Sequence, residues 1–137
     1  MFVDASAIVA ILTEEQDGFA LAARLDGAED RFTSPIAVWE SAASISRKSK
    51  SMAQGELRLV EKFLDSASIR VESITAQLTR EAVVAFDRYG RRSGHPADLN
   101  LGDCFAYAFA KSLAVPLLFT GKDFSLTDVQ SYSATKK

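Results

Sequence analysis

Leu99–Phe124, LNLGDCFAYAFAKSLAVPLLFTGKDF, decides the fold. Asn100 is a good helix N-cap, and the residues after it are apolar almost without a break to Leu113. Pro116 stops the helix, and Leu117-Leu118-Phe119 then reads as a short, fully buried strand. A helix apolar on most sides that runs directly into such a strand belongs in the middle of a layered α/β protein. Asp103 falls in the first turn of this helix and Asp123 just past the strand. Both therefore sit near the rim outside the carboxyl ends of parallel strands, where open α/β proteins place their sites.

The rest of the chain repeats the theme. Phe2-Val3-Asp4 is a minimal buried strand ending in an acid, and Ala5–Leu12 follows as a helix that Asp4 or Ser6 can cap. A second helix is expected over Glu14–Leu25, with Phe19, Ala22 and Ala23 on one side and Gly27 ending it. Arg31-Phe32-Thr33 is a short strand, and Ser34-Pro35 opens a third helix with a hydroxyl cap and a first-turn proline. That helix carries Ile36, Trp39, Glu40, Ala43 and Ile45; the spacing of Ile36, Glu40 and Ala43 puts Glu40 on or beside the inward stripe. Met52–Ala67 forms a fourth helix facing inward through Leu59, Val60 and Phe63. Ile69-Arg70-Val71 is the next strand. Thr75 caps a fifth helix striped by Leu78, Ala82, Ala85, Phe86 and Tyr89, the polar loop Gly90–Pro96 follows, and Val129–Tyr132 supplies a last edge strand. Strands alternating with helices imply right-handed crossovers, hence a three-layer α/β/α sandwich around a mostly parallel sheet, one domain over residues 1–137.

With 137 residues the chain can bury a sizeable core, and 47% hydrophobic with 25% charged residues describes an ordered globule. No apolar run reaches the roughly 20 residues that span a bilayer, and Met1-Phe2-Val3-Asp4 lacks the basic start of a signal peptide. Cys104 is the single cysteine, so no disulfide forms within the chain, and a reducing cytoplasm is the expected setting. A net charge of −2 excludes coating of nucleic acid by bulk charge; any such contact must come from a local patch. The Ser/Lys-rich Ser46–Ser51 and the tail Ser131–Lys137 are compositionally biased.

Four carboxylates stand out by placement: Asp4, Glu40, Asp103 and Asp123. Gathered at one rim they repel, so either some remain protonated or a cation joins them. Hard oxygen donors with no His or Cys cluster nearby favour Mg²⁺ or Mn²⁺ over Zn²⁺, and such an ion serves phosphate-ester chemistry. Singly, Asp4 reads as a helix cap, Asp103 as half of a capping box with Asn100, and Asp123 as a turn acid. Capping gives no reason for Glu40 to join them.

Val3–Ser6 (VDAS), Trp39-Glu40, Leu99–Ala108 (LNLGDCFAYA) and Pro116–Phe124 (PLLFTGKDF) together resemble the PIN-domain ribonuclease toxins of the VapC type, across essentially the whole chain. The resemblance implies a Mg²⁺- or Mn²⁺-dependent endoribonuclease of a toxin–antitoxin pair, dimeric, silenced by a small cognate antitoxin and active on RNA. Carried over position by position, it places the catalytic and metal-binding acids at Asp4, Glu40, Asp103 and Asp123, with Ser6 supporting the first. The chain departs from the family pattern at Lys122, where an acid or amide is usual, and at Asp98, where a small residue is usual; Asp98 reads as a loop acid.

Arg88, Arg91 and Arg92 make a local cationic stretch that either holds RNA phosphates or complements a helix C-terminus. Arg47, Lys48 and Lys50 read as a solvated face, and Cys104 as a small core residue. Two other functions compete with the nuclease. One is a catalytically silent partner-binding domain. The other is a phospho-acceptor signalling domain, for which Ile69–Ser73 offers no acceptor Asp.

Overall fold

The computed structural model describes residues 1–133, and the biased tail lies outside them from residue 134 onward. Five strands, β1 (Phe2–Val3), β2 (Phe32–Thr33), β3 (Arg70–Val71), β4 (Leu117–Phe119) and β5 (Ser131–Ser133), form one sheet in the order β3-β2-β1-β4-β5. Every pairing is parallel, so the sheet expected to be mostly parallel is wholly so. The alternation of side chains along the strands divides the core. Phe2, Leu117 and Phe119 enter the cluster beneath α5 (Ala76–Tyr89) and α6 (Leu101–Leu113). Val3 and Leu118 enter the opposite cluster, beneath α1 (Ala5–Leu12), α2 (Gly18–Asp26), α3 (Pro35–Ser49) and α4 (Ala53–Ser66). Each of these fully buried side chains contributes roughly 1.5–3 kcal/mol, so five short strands suffice to bind three layers together.

The winding positions the site. From β1 the chain steps outward to β2 and β3 by way of α1–α4, then returns over the other face through α5 and α6 to lay β4 beside β1. The strand order reverses between β1 and β4, and that switch point opens a crevice at their carboxyl ends. Asp4 follows β1 directly, and Thr120 follows β4. β3, third of five in the chain, is an exposed edge strand rather than the middle of the sheet.

Several helix faces differ from expectation. α2 begins at Gly18, not Glu14: α1 ends at Thr13, and Glu14 turns the chain through a left-handed φ of 53°. Gly18 passes so close to α1 that a Cβ there would fall 2.7 Å from the Ala10 carbonyl oxygen. The buried side is then Gly18, Leu21 and Leu25, leaving Phe19 89% exposed and Ala23 outside. In α3 the inward stripe is Ala37, Ser41, Ala42 and Ile45, with Trp39 69% exposed. α4 buries Val60 and Leu64 while Leu59 is exposed, and Phe86 of α5 is exposed beside the buried Leu78, Ala82, Ala85 and Tyr89. In α3 the close helix contacts are made by small residues, Ala37, Ser41 and Ala42, which leaves the bulky Trp39 outside. The last strand starts at Ser131, two residues later than expected.

Candidate active site

The first acid is positioned by the turn between β1 and α1. Asp4 is the N-cap of α1, and its Oδ2 accepts from the Ser6 amide at 3.0 Å and the Ser6 hydroxyl at 2.6 Å. Ser6 Oγ in turn accepts the Thr120 amide at 3.2 Å, and the Thr120 hydroxyl donates to Asp17 Oδ2 at 3.2 Å. This chain of bonds ties the ends of β1 and β4 together across the switch point. Asp4 is buried, which raises its carboxyl above the usual range against the pull of the Ser6 bonds; the charge of Asp123 raises it further.

Asp103 is set by the start of α6. Its Oδ2 accepts the Asn100 amide at 3.1 Å while its own amide donates to Asn100 Oδ1 at 2.9 Å, a complete capping box. Burial pushes Asp103 up to about 7, with the charges of Asp4 and Asp123 adding to it and the Asn100 bond and Arg91 opposing. Capping and clustering are thus one arrangement: the box holds one oxygen and fixes where the carboxylate stands.

Glu40 comes from α3, on the flank of its buried stripe. Its carboxylate lies over Gly102: a Cβ built on that glycine would fall 2.5 Å from both Cδ and Oε2 of Glu40. Burial, then the charges of Asp4 and Asp103, push Glu40 to about 7. Asp4, Ser6, Glu40, Asn100, Asp103 and Thr120 line one cleft of about 390 Å³. Asp123, in the first turn of a short 3₁₀ helix (Asp123–Leu126), is exposed and outside this lining, yet near enough for its charge to reach Asp4 and Asp103.

The donors are hard oxygens throughout, and no ion pair reaches any of the four acids among the described residues. Three carboxyls raised together are the response of a partly desolvated pocket to uncompensated negative charge. That is the environment a hard divalent cation stabilises, so the residues present fit one. As placed they are neighbours rather than a closed ligand shell: among the described residues no three His, Cys, Asp or Glu side chains group to hold a metal ion.

The cations sort differently from expectation. Arg88 turns away, pairing with Asp128 at 3.7 Å and lying over the Tyr89 ring at 4.8 Å. Arg91 is drawn to the site, because its amide donates to Leu99 O at 3.0 Å and so brings it beside the start of α6, close enough to act on Asp103. Arg92 is exposed in a left-handed turn. Arg47 and Lys48, read as a solvated face, line the cleft, with Lys48 paired to Glu15. The missed signal is helical: Glu40, Ser44, Arg47 and Lys48 fall at i, i+4, i+7 and i+8 on one face of α3. Asp98 is an exposed loop acid, and Cys104 is buried with its thiol pushed up to about 11 by burial, which makes it inert.

The PIN domain family model matches residues 1–130. A VapC ribonuclease of Rhizobium meliloti (strain 1021) is 41% identical over 139 residues, covering 93% of this chain and 98% of the relative. Ribonuclease VapC42 of Mycobacterium tuberculosis (strain ATCC 25618 / H37Rv) is 42% identical over 131 residues, covering 95% and 97%. Among solved structures, Mycobacterium tuberculosis VapC20, described as a sarcin–ricin loop cleaving toxin, superposes with a TM-score of 0.73 at 20% identity, covering 93% of this chain and 95% of that one. VapBC-1 from nontypeable Haemophilus influenzae gives 0.70 at 18% identity, covering 98% of each. These last two bear on the fold alone; family and near relatives agree over nearly the whole length, and the chain belongs to the PIN-domain family, among the VapC ribonucleases.

Proposed function

We propose that this protein is a Mg²⁺- or Mn²⁺-dependent endoribonuclease, the toxin of a toxin–antitoxin pair, hydrolysing RNA phosphodiester bonds with water as the nucleophile. The observation that carries the reading is the gathering of Asp4, Glu40 and Asp103, from three separate stretches of chain, into one cleft where each carboxyl is raised. Asp4, Glu40 and Asp103 would hold the ion, with Asp123 completing or supporting the set. The ion supplies charge neutralisation at the phosphate and an acidified water. Ser6 fixes the orientation of Asp4 through two bonds, and the capping box fixes Asp103. Arg91 beside Asp103, with Arg47 and Lys48 on the cleft wall, offers the phosphate backbone a local cationic path that net charge alone would not supply.

The partners follow the same reading. Val83, Phe86 and Leu101 form an exposed apolar strip between α5 and α6, suited to a second copy of the chain, while a cognate antitoxin would cover the acid cleft. Among the described residues no helix is long and apolar enough to cross a membrane, and the lone reduced Cys104 suits a cytoplasmic protein.

Purified protein incubated with RNA is expected to cleave it in Mg²⁺ or Mn²⁺, to stop in excess EDTA, and to lose activity as Asp4→Asn. Cleavage that persists unchanged in saturating EDTA overturns the metal role.

A further inference from the structure

Gly102 lies in the first turn of α6, between Leu101 and Asp103. Its backbone is helical, so no left-handed conformation calls for glycine, and glycine ranks well below alanine in helix propensity. The local backbone therefore argues against the residue found there. What calls for it is Glu40 on the neighbouring helix α3. A Cβ at Gly102 would overlap the Glu40 carboxylate, and all three of its nearest heavy atoms are the carboxylate's own Oε1, Oε2 and Cδ.

The identity of the obstacle matters. Gly18 faces a backbone carbonyl, so a side chain there would strain the fold. Gly102 faces the far end of a flexible side chain, which can swing aside at little expense to folding but not without leaving its place beside Asp103. We infer that Gly102 is a positioning residue: the bare Cα seats the Glu40 carboxylate against the N-terminal turn of α6, within the charge cluster of Asp4 and Asp103. The inference rests on the reading of Glu40 as a metal-holding acid. It assigns Gly102 to the site rather than to the helix.

Trp39 is the only tryptophan and lines the same cleft, so quenching of its fluorescence by Mn²⁺ alone reports binding without RNA. Four proteins are compared in full-length form: wild type, Gly102→Ala, Glu40→Ala and the double variant. Gly102→Ala is expected to keep its thermal midpoint within about 3 °C of wild type. It should nonetheless weaken Mn²⁺ binding and slow RNA cleavage by about tenfold. In the Glu40→Ala background the same substitution should add no further loss, because the atoms it displaces are gone. Wild-type Mn²⁺ affinity in Gly102→Ala, or losses that simply multiply in the double variant, would overturn the inference. So would a fall in thermal midpoint that persists in the double variant, which marks a purely structural glycine. Glu40→Ala binding Mn²⁺ like wild type is a different result: it removes Glu40 from the metal set, and the inference falls with that reading.

Discussion

Asp128 and the cleft acids are carboxylates held against the same apolar helix, α6, and their surroundings are opposite. Asp128, though exposed, is met by four donors: the Tyr107 hydroxyl bonds its Oδ1, Tyr89 reaches the same oxygen at 3.3 Å, and Lys111 and Arg88 approach Oδ2 at 3.3 and 3.7 Å. Its carboxyl is accordingly held below the usual range, first by the Tyr107 bond. The Tyr107 hydroxyl moves the other way, raised by burial and by its bond to that carboxylate. Asp4 and Asp103 meet only the neutral donors of their own helix starts, Glu40 has the charges of Asp4 and Asp103 for neighbours, and burial raises all three. A fold able to surround one acid with two phenols and two cations has left three others in a shared pocket without an ion pair. Acids neutralised from within pin the structure; acids left for something outside to neutralise describe a binding site.

Exchanging carboxylate for amide at the two places gives the largest expected effect. Asp103→Asn should lower the rate of RNA cleavage by two orders of magnitude or more, since even partners one shell out from a metal are worth about 10–100-fold. Its thermal midpoint should hold or rise, because a repelling charge has gone. Asp128→Asn should do the reverse, keeping the cleavage rate while the midpoint falls by about 3–6 °C as Tyr107 and two cations lose a charged acceptor. Rate and melting measured side by side decide it; equal losses of activity in both variants would erase the contrast.

The pH dependence of stability sharpens it further. Glu40 and Asp103 reach about 7 in the fold, above their ordinary values of 4.5 and 3.8. A carboxyl raised on folding favours the fold while protonated, so that stability is present below roughly pH 4 and is lost as pH rises through about 7. Asp128 is lowered, so its contribution is present above its ordinary value of 3.8 and is lost in acid. Metal-free protein should thus be most stable near roughly pH 4 and melt lower toward roughly pH 8. Adding Mn²⁺ at the higher pH should restore the midpoint. Asp103→Asn should flatten the alkaline limb and Asp128→Asn the acid limb. A midpoint that rises from pH 5 to pH 8 without metal would contradict the raised carboxyls.

The sequence discloses the two kinds of acid unequally. Asp103 is legible because Asn100 and Asp103 have capping-box spacing and introduce the longest apolar stretch. Asp4 is legible because a strand ends on it. Glu40 is visible as an acid next to a buried stripe, but the stripe lies one residue away from where the large side chains suggest, since tight helix contacts choose Ala37 and Ser41 over Ile36 and Trp39. Asp128 shows no local signal: its partners lie 17 to 40 residues earlier in the chain and meet it only through tertiary packing. The same limit hides the clearance between Glu40 and Gly102 and the divergence of Arg88 from Arg91.

That divergence supplies the smallest effect and the finest test. Arg88 and Arg91 are three residues apart, but α5 ends between them, and the Arg91–Leu99 backbone bond redirects the chain toward the site. Arg88 stays with Asp128. If Arg91 steers an RNA phosphate, Arg91→Ala should raise KM about three- to tenfold with little change in kcat, and reduce the slope of log KM against log salt by about 0.7–1, the weight of one phosphate contact. Arg88→Ala should leave that slope alone and lower the melting midpoint slightly, as an exposed ion pair of about 0.2–1 kcal/mol allows. Kinetics across a salt series read both at once. Identical salt slopes for the two variants would mean that their separation in the fold has no counterpart in RNA binding.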